Sequence, residues 1–197
     1  MQELTKRQQK ALQTKEKIYD AAIKLFEKNG YENVLIEDIT KAAKVATGTF
    51  YLYYKSKKDL MYATIEKYNQ CSDKAYERVR EMTDFKEKLL KYVEYYYEEV
   101  QKVGRQMLRA LVGNNILDGA DVINAPERSI YRVMNILLQE GMEQGALSKE
   151  YCLAYYEQII VAALLGVDYY WCTRDEPELV DLISVQMEIL VEGLTRL

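Results

Sequence analysis

The chain has 197 residues, of which 49% are hydrophobic and 29% charged, a composition that argues against disorder and fibrous repeats. It contains no histidine, the commonest metal ligand and general base, and its three cysteines are widely spaced without a Cys-x-x-Cys pair. The net charge of −4 is uneven, because residues 1–60 carry 12 basic and 8 acidic side chains whereas the remainder carries 15 and 23. We therefore expect a cytoplasmic protein without a metal ion or cofactor, and with a basic N-terminal region.

Helical periodicity recurs along the chain, and no segment shows the sustained alternation of a strand. The predicted helices cover about residues 14–28, 36–43, 47–53, 56–82, 85–103, 105–113, 126–144, 149–172 and 177–197. Ser56 is the expected cap of the fourth helix, residues 114–124 form a predicted loop, and Pro126 suits the first turn of the seventh helix. The sequence thus predicts an all-α protein of about nine helices, with a three-helix head over residues 1–60 and a helical domain over residues 61–197.

No segment is suited to cross a membrane. The longest uncharged apolar stretch runs from Gln158 to Val167, which is too short for a bilayer, and the polar N-terminus does not resemble a signal peptide. We therefore expect no membrane partner.

The second and third predicted helices are short, are separated by a tight turn and follow a bracing helix, as in a helix-turn-helix. The second helix of such a pair must begin with a face that can enter the major groove of DNA. Here that start is Thr47-Gly48-Thr49, which is small and uncharged, while Tyr51 and Tyr53 are expected to project outward. Phenolic hydroxyls and ammonium groups are suitable donors for phosphates.

A basic segment surrounds this pair of helices. Between Thr40 and Lys58 there is no acidic residue but there are five lysines, namely Lys41, Lys44, Lys55, Lys57 and Lys58. On an otherwise acidic chain, this segment favours a localised contact with a polyanion.

Two runs of this sequence resemble the N-terminal signature of TetR-family repressors. The first run is Ile18-x-x-Ala21-Ala22-x-x-Leu25-Phe26-x-x-x-Gly30-Tyr31. The second run is Ile39-x-x-Ala42-Ala43-x-Val45-x-x-Gly48-Thr49-Phe50-Tyr51-x-Tyr53-Tyr54-x-x-Lys57-x-x-Leu60. Beyond residue 60 the chain agrees with the family only in helical pattern and length.

The resemblance implies a ligand-responsive transcriptional repressor that binds a palindromic double-stranded DNA operator as a homodimer. Carried over by position, Thr47, Gly48, Thr49 and Tyr51 face the bases, and Tyr51, Tyr53 and Lys57 hold phosphates. Tyr54 is instead expected to pack against the fourth helix.

The chain departs from the family pattern in three places. Val34 and Leu35 stand where the family has a Thr or Ser cap, Lys44 replaces a turn glycine, and Ala46 replaces a Ser cap. Losing an N-cap costs ~0.5–2 kcal/mol. Lys44 either adopts a positive φ or gives the turn another shape.

The eighth helix has a face that suits a dimer interface. This face consists of Tyr155, Ile159, Ala162, Gly166 and Tyr170. Its small residues, Ala162 and Gly166, would allow a helix of the partner protomer to approach closely. In similar proteins the eighth and ninth helices pair with their symmetry mates. The opposite face is expected to be a solvated acidic stripe that contains Glu150, Glu157, Asp168 and Asp175.

Thirteen of the 18 tyrosines lie beyond residue 60, several of them in adjacent pairs, of which one member is expected to face inward. The predicted lining of an effector pocket is Tyr96, Met107, Leu111, Met134, Leu138 and Tyr156. Such a lining suits a bulky lipophilic or aromatic molecule, including a lipophilic cation.

Two other classes of protein compete with this interpretation. An enzyme lacks support, because the sequence has no phosphate-binding glycine loop and no nucleophile beside a base. A helical small-molecule-binding scaffold with weak or lost DNA binding is consistent with the missing caps.

Overall fold

The computed structural model describes residues 5–118, 125 and 127–196. These residues form nine α-helices and no β-strand, so the all-α class is confirmed. The helices are α1 (Lys6–Asn29), α2 (Ile36–Ala43), α3 (Thr47–Tyr53), α4 (Asp59–Val79), α5 (Phe85–Val103), α6 (Arg105–Asp118), α7 (Ser129–Glu143), α8 (Leu153–Cys172) and α9 (Leu179–Leu194). The chain divides into two compact units, Met1–Thr64 and Ile65–Leu197.

Helix α1 begins eight residues before its predicted start. Thr5 caps it, because the Gln8 N–H donates to the Thr5 hydroxyl at 3.3 Å and the Thr5 N–H donates to the Gln8 side chain at 2.9 Å. Thr14, the predicted first residue, lies within the helix, where its hydroxyl donates to the Lys10 carbonyl at 2.9 Å. The polar residues before Ile18 gave no periodic signal, and this hid the first two turns.

The core of the first unit joins α1, α2 and α3. Helices α2 and α3 begin and end at the predicted residues. The side chains that close this core are fully buried, namely Ile18, Ala22, Phe26, Ile39 and Phe50. This packing stabilises two helices that are too short to be stable alone.

The departures from the family pattern have visible consequences at the helix ends. Leu35 offers no side-chain acceptor to α2, and the remaining cap is the Asp38 carboxylate, which accepts from the Leu35 N–H at 3.0 Å. Lys44 occupies the left-handed region with φ 52° and ψ 49°, so the turn keeps a shape that favours glycine. Ala46 provides no side-chain cap for α3.

The predicted ends of α4 and α6 need correction. The Asp59 carboxylate, rather than Ser56, is the acceptor before α4, because it accepts from the Lys55 N–H at 2.7 Å and from the Ser56 hydroxyl at 3.0 Å. Helix α4 ends at Val79, three residues before its predicted end. Helix α6 continues to Asp118 through the predicted loop, and the Asn114 amide donates to the Ala110 carbonyl at 2.8 Å, which keeps asparagine in the helix. Residues 119–124 and Pro126 lie outside the described residues.

Helix α5 is the centre of the second unit and packs against α6, α7 and α9. Its buried residues form one broad face and are Phe85, Lys88, Leu89, Tyr92, Val93, Tyr96, Tyr97 and Val100. Both members of the pair Tyr96-Tyr97 are therefore buried, whereas only one was expected to face inward. Where α5 meets α7, a Cβ added at Gly141 would lie 2.6 Å from the Phe85 ring, so only glycine allows this approach.

Helix α8 begins at Leu153, four residues after its predicted start, and α9 begins at Leu179, two residues after its own. The turn before α8 is fixed by Tyr156, whose hydroxyl donates to the Ser148 carbonyl at 3.0 Å. Within the described residues, no helix has both the length and the apolarity that crossing a bilayer requires.

Candidate nucleic-acid interface and ligand cavity

The start of α3 presents a small, accessible surface. Thr47 and Gly48 are exposed and Thr49 is half-buried. A Cβ added at Gly48 would meet no atom within 4 Å, so packing inside the protein does not explain this glycine. The small surface is consistent with an approach to the edges of DNA bases.

The aromatic residues of α3 point in different directions. Tyr51 is 52% exposed and Tyr53 is half-buried, whereas Phe50 is fully buried with its ring centroid 5.5 Å from that of Tyr51. Leu52 is 80% exposed on the same helix, a feature that sequence reasoning did not single out. Tyr51 and Tyr53 therefore stay candidates for contacts with DNA.

Tyr54 is buried, as expected, but its identified partners lie in α1 and α3. Its hydroxyl donates to the Lys15 carbonyl at 3.3 Å, and its ring centroid lies 5.6 Å from that of Phe50. Burial raises the pKa of Tyr54 well above its ordinary value of 10.0. Tyr54 thus links the end of α3 to α1 by a hydrogen bond.

Lys57 lies in the turn between α3 and α4, and its ammonium is engaged within the first unit. It donates to the carbonyls of Tyr31, Glu32 and Val34 at 2.7, 3.3 and 3.1 Å. It also lies 4.4 Å from the centroid of the Tyr31 ring, within the range of a cation–π interaction. Phosphate binding by Lys57 stays a prediction, but a phosphate would have to compete with these carbonyls.

A cavity of about 40 Å³ lies within the second unit, between α4, α5, α6, α7 and α8. Its apolar walls are formed by Ile65, Val100, Leu108, Leu111, Ile130, Val161, Leu164 and Leu165. Its polar lining consists of Tyr68, Tyr96, Tyr97, Arg128, Tyr131 and Asp168. The cavity has room for a few water molecules, and a larger guest requires the surrounding helices to separate.

Only two of the six side chains predicted to line an effector pocket border this cavity. Tyr96 and Leu111 line it, but Met107, Met134, Leu138 and Tyr156 do not. These four side chains are at most 1% exposed and fill the core, because periodicity identifies an inward face but not a gap in it. Arg128, Tyr97 and Asp168 were not anticipated as cavity residues.

Charged and phenolic groups meet at one part of the cavity. The Arg128 guanidinium, on a residue that is 7% exposed, donates to the Tyr96 hydroxyl at 3.3 Å. Burial raises the pKa of Asp168 to about 7, although a hydrogen bond from Tyr97 and the charge of Arg128 both lower it. Burial also raises the pKa of Tyr96 to about 12, so its hydroxyl stays protonated at neutral pH.

Asp168 does not belong to a solvated acidic stripe, and that expectation is wrong. Glu150 and Asp175 lie outside the ends of α8, so the four acids do not share a helical face. Glu157 and Asp168 do share a face of α8, but Asp168 lines the cavity, and periodicity alone does not show that a gap lies beside this face. A charged residue after a ten-residue apolar run is the signal that could have identified a buried acid.

The predicted dimer face is exposed in the protomer. On α8, Tyr155, Ile159 and Tyr170 are 59%, 44% and 38% exposed, and Ala162 and Gly166 are also exposed. On α9, Val185 and Ile189 are 58% and 70% exposed. Soluble proteins rarely leave a continuous apolar surface of this kind without a partner.

Comparison with known proteins identifies the class of the first unit. Residues 18–64 match the sequence model of the bacterial regulatory proteins of the tetR family. The match includes the whole of α2 and α3 and the Lys57 turn. The first unit therefore carries the DNA-binding helix-turn-helix of tetR-family regulatory proteins.

Similarity to individual regulators extends over both units. The fatty acid metabolism regulator protein of Bacillus subtilis is 27% identical over 183 residues, which cover 90% of this chain and 93% of that protein. The fatty acid degradation regulator FadR of Bacillus halodurans is 27% identical with a TM-score of 0.79, over 92% of this chain and 96% of that one. FadR of B. subtilis in complex with stearoyl-CoA is 26% identical with a TM-score of 0.78, over 90% and 98% of the two chains.

We expect Lys57→Ala to lower the free energy of unfolding of the first unit by about 1–3 kcal/mol, because it removes three hydrogen bonds from a charged donor. Urea denaturation is the measurement, and Lys55→Ala, which removes an equal charge from an exposed side chain nearby, is the control. A direct phosphate contact would instead be supported if the variant kept its stability but bound DNA with a shallower salt dependence. The slope of log affinity against log salt concentration should then correspond to about one phosphate contact fewer.

We expect Asp168 to make stability depend on pH. Its folded pKa of about 7 exceeds the ordinary value of 3.8, so its favourable contribution is present at low pH and is lost as the pH rises through 7. Asp168→Asn does not titrate and should not lose this contribution. From acidic to mildly alkaline pH, its free energy of unfolding should therefore rise by about 2–4 kcal/mol relative to that of the wild type. Denaturation across this range is the measurement. The exposed Glu188→Gln control should follow the wild-type curve, and an identical curve for Asp168→Asn would contradict the assignment.

Proposed function

We propose that this protein is a repressor that binds a two-fold symmetric DNA operator as a homodimer and releases it on binding a long-chain acyl-CoA. The main support for this ligand is the similarity, over both units, to a regulator whose structure contains stearoyl-CoA. The match of the first unit by itself says nothing about the ligand, because it covers only residues 18–64. The apolar walls of the cavity suit an acyl chain. The lining gives little support to the lipophilic cation expected from the tyrosines alone, because Arg128 offsets the negative charge of Asp168.

Acyl binding requires the cavity to expand. Its volume of about 40 Å³ is far below that of a long acyl chain, so the ligand must stabilise a conformation in which the surrounding helices lie farther apart. Helix α4 contributes Ile65 and Tyr68 to the cavity and also carries residues of the first unit. Displacement of α4 is therefore the simplest route from ligand to DNA affinity. The ligand can act only through a difference in affinity for the two conformations.

DNA binding is assigned to α3. The exposed Thr47, Gly48 and Tyr51 are suited to base edges, and the half-buried Thr49 and Tyr53 border the same helix. Dimerisation is assigned to α8 and α9, because a two-fold symmetric operator needs a two-fold symmetric protein. The exposed apolar side chains of these two helices support this assignment.

We expect stearoyl-CoA to weaken DNA binding at least ~10-fold, within the usual range of allosteric coupling. Fluorescence anisotropy with a duplex selected from a random pool is the measurement, with coenzyme A alone as the ligand control. Val161→Phe, which narrows the cavity, should keep DNA affinity but lose the response to stearoyl-CoA. The matched Val180→Phe, on a half-buried residue of α9 outside the cavity lining, should keep both.

Two outcomes would contradict the proposal in different ways. Failure of the wild-type protein to select any duplex would support a scaffold without DNA binding. Selection of a duplex whose affinity stearoyl-CoA leaves unchanged would preserve the regulator but remove the acyl-CoA assignment.

We expect Gly166→Leu to weaken the homodimer without unfolding the protomer. A Cβ at Gly166 meets nothing within 4 Å in the protomer, and leucine favours a helix over glycine by roughly 0.8 kcal/mol. A partner helix close to this point would, however, clash with the new side chain. Sedimentation equilibrium is the measurement, and Gly113→Leu on α6 is the control because its Cβ is equally unobstructed. A monomeric wild-type protein, or an unaffected variant, would argue against this interface.

A further inference from the structure

The polar part of the cavity leaves one strong acceptor unused. Tyr97 provides a hydrogen bond to the Asp168 carboxylate, but Asp168 Oδ1 has no hydrogen-bond partner among the described residues and is removed from solvent. Asp168 is also part of the cavity lining, so a guest can reach this group. A buried carboxylate oxygen without a partner is costly, and such atoms are rare in folded proteins.

A plain hydrocarbon chain would not satisfy this oxygen. Filling the cavity with methylene groups would exclude water and leave the carboxylate without a donor in a surrounding of low polarity. A ligand that carries a hydrogen-bond donor would satisfy it. The cavity therefore favours an acyl chain with a polar substituent over one without.

The neighbouring charge narrows the chemistry of that substituent. Arg128 lies in the same lining and acts electrostatically on Asp168, so the pair has no net charge while the carboxyl is ionised. An ammonium group would be repelled by Arg128, and a carboxylate would be repelled by Asp168. A neutral donor, such as a hydroxyl, avoids both penalties.

We propose that the ligand cavity selects hydroxylated acyl chains, whose hydroxyl donates a hydrogen bond to Asp168 Oδ1. This inference rests on the proposed acyl-CoA function and specifies which members of that class bind best. In this assignment Asp168 determines specificity, Arg128 disfavours cationic substituents, and Tyr97 helps to orient the carboxylate to which it donates a hydrogen bond.

Isothermal titration calorimetry of the full-length protein tests the proposal. The probes are stearoyl-CoA and three derivatives with a hydroxyl at the β-carbon, in mid-chain or at the terminal carbon. We expect at least one derivative to bind the wild-type protein ~10-fold more tightly than stearoyl-CoA, because a hydrogen bond to a charged acceptor is worth about one such factor or more.

Variants connect this preference to the carboxylate. Asp168→Leu, which is similar in size but has no acceptor, should abolish the preference, and Asp168→Asn, which keeps an amide oxygen, should retain part of it. Leu165→Ala changes the apolar wall of the same cavity and should alter the affinity for all four probes by a similar factor. Because Asp168→Leu leaves Arg128 buried without this acid, circular dichroism must show that it is folded. If it is not, the wild-type comparison and Asp168→Asn decide the question.

Each remaining outcome overturns a distinct claim. Equal or tighter binding of stearoyl-CoA than of every derivative would overturn the hydroxyl preference and leave the acyl-CoA function intact. A preference that persists in Asp168→Leu would overturn the role of Asp168. Absence of binding by all four probes would overturn both the preference and the acyl-CoA function.

Discussion

A tyrosine hydroxyl buried inside a helical bundle needs a hydrogen-bond partner away from water, and the second unit is arranged around this need. Tyr96 and Tyr97 follow each other on α5, and both are buried. Arg128 donates to the first hydroxyl, and the second donates to Asp168. An arginine or aspartate would be unstable at this depth by itself, but here the charge of Arg128 acts favourably on the Asp168 carboxylate. The polar part of the cavity thus follows from the packing of α5, and the proposed preference for a hydroxylated ligand follows from that polar part.

The first unit keeps its helix-turn-helix although two caps and a turn glycine are replaced. Tertiary contacts compensate for the missing caps. Lys57, in the turn after α3, donates hydrogen bonds to three carbonyls of the segment that precedes α2. Tyr54 joins the end of α3 to α1 in a similar way. Packing between sequence-distant segments therefore offsets weak local signals. Lys44 in the left-handed region shows that the geometry of the turn is retained even where the side chain is unfavourable.

The sequence was sufficient for the helices and the DNA-binding class but not for the cavity. Helices α2 and α3 were predicted to the residue, because apolar spacing over one or two turns determines which side is buried. The start of α1 was missed although Thr5 and Gln8 form a recognisable capping box. Met107 and Met134 are buried, as expected, but do not line the cavity. Periodicity cannot locate a cavity, because its position depends on how several helices fit together. Asp168 was assigned to the solvated face because periodicity does not reveal a cavity beside a half-buried position of α8.

Trp171, the single tryptophan of the chain, lies three residues after Asp168 on α8 and is 4% exposed. The Arg105 guanidinium lies 4.7 Å from its ring, and its indole N–H has no hydrogen-bond partner among the described residues. Indole emission depends on nearby charge and on hydrogen bonding. The protein therefore contains its own fluorophore close to the polar wall of the cavity. Excitation at wavelengths that tyrosine does not absorb makes the occupancy of the cavity an optical signal that needs no added label.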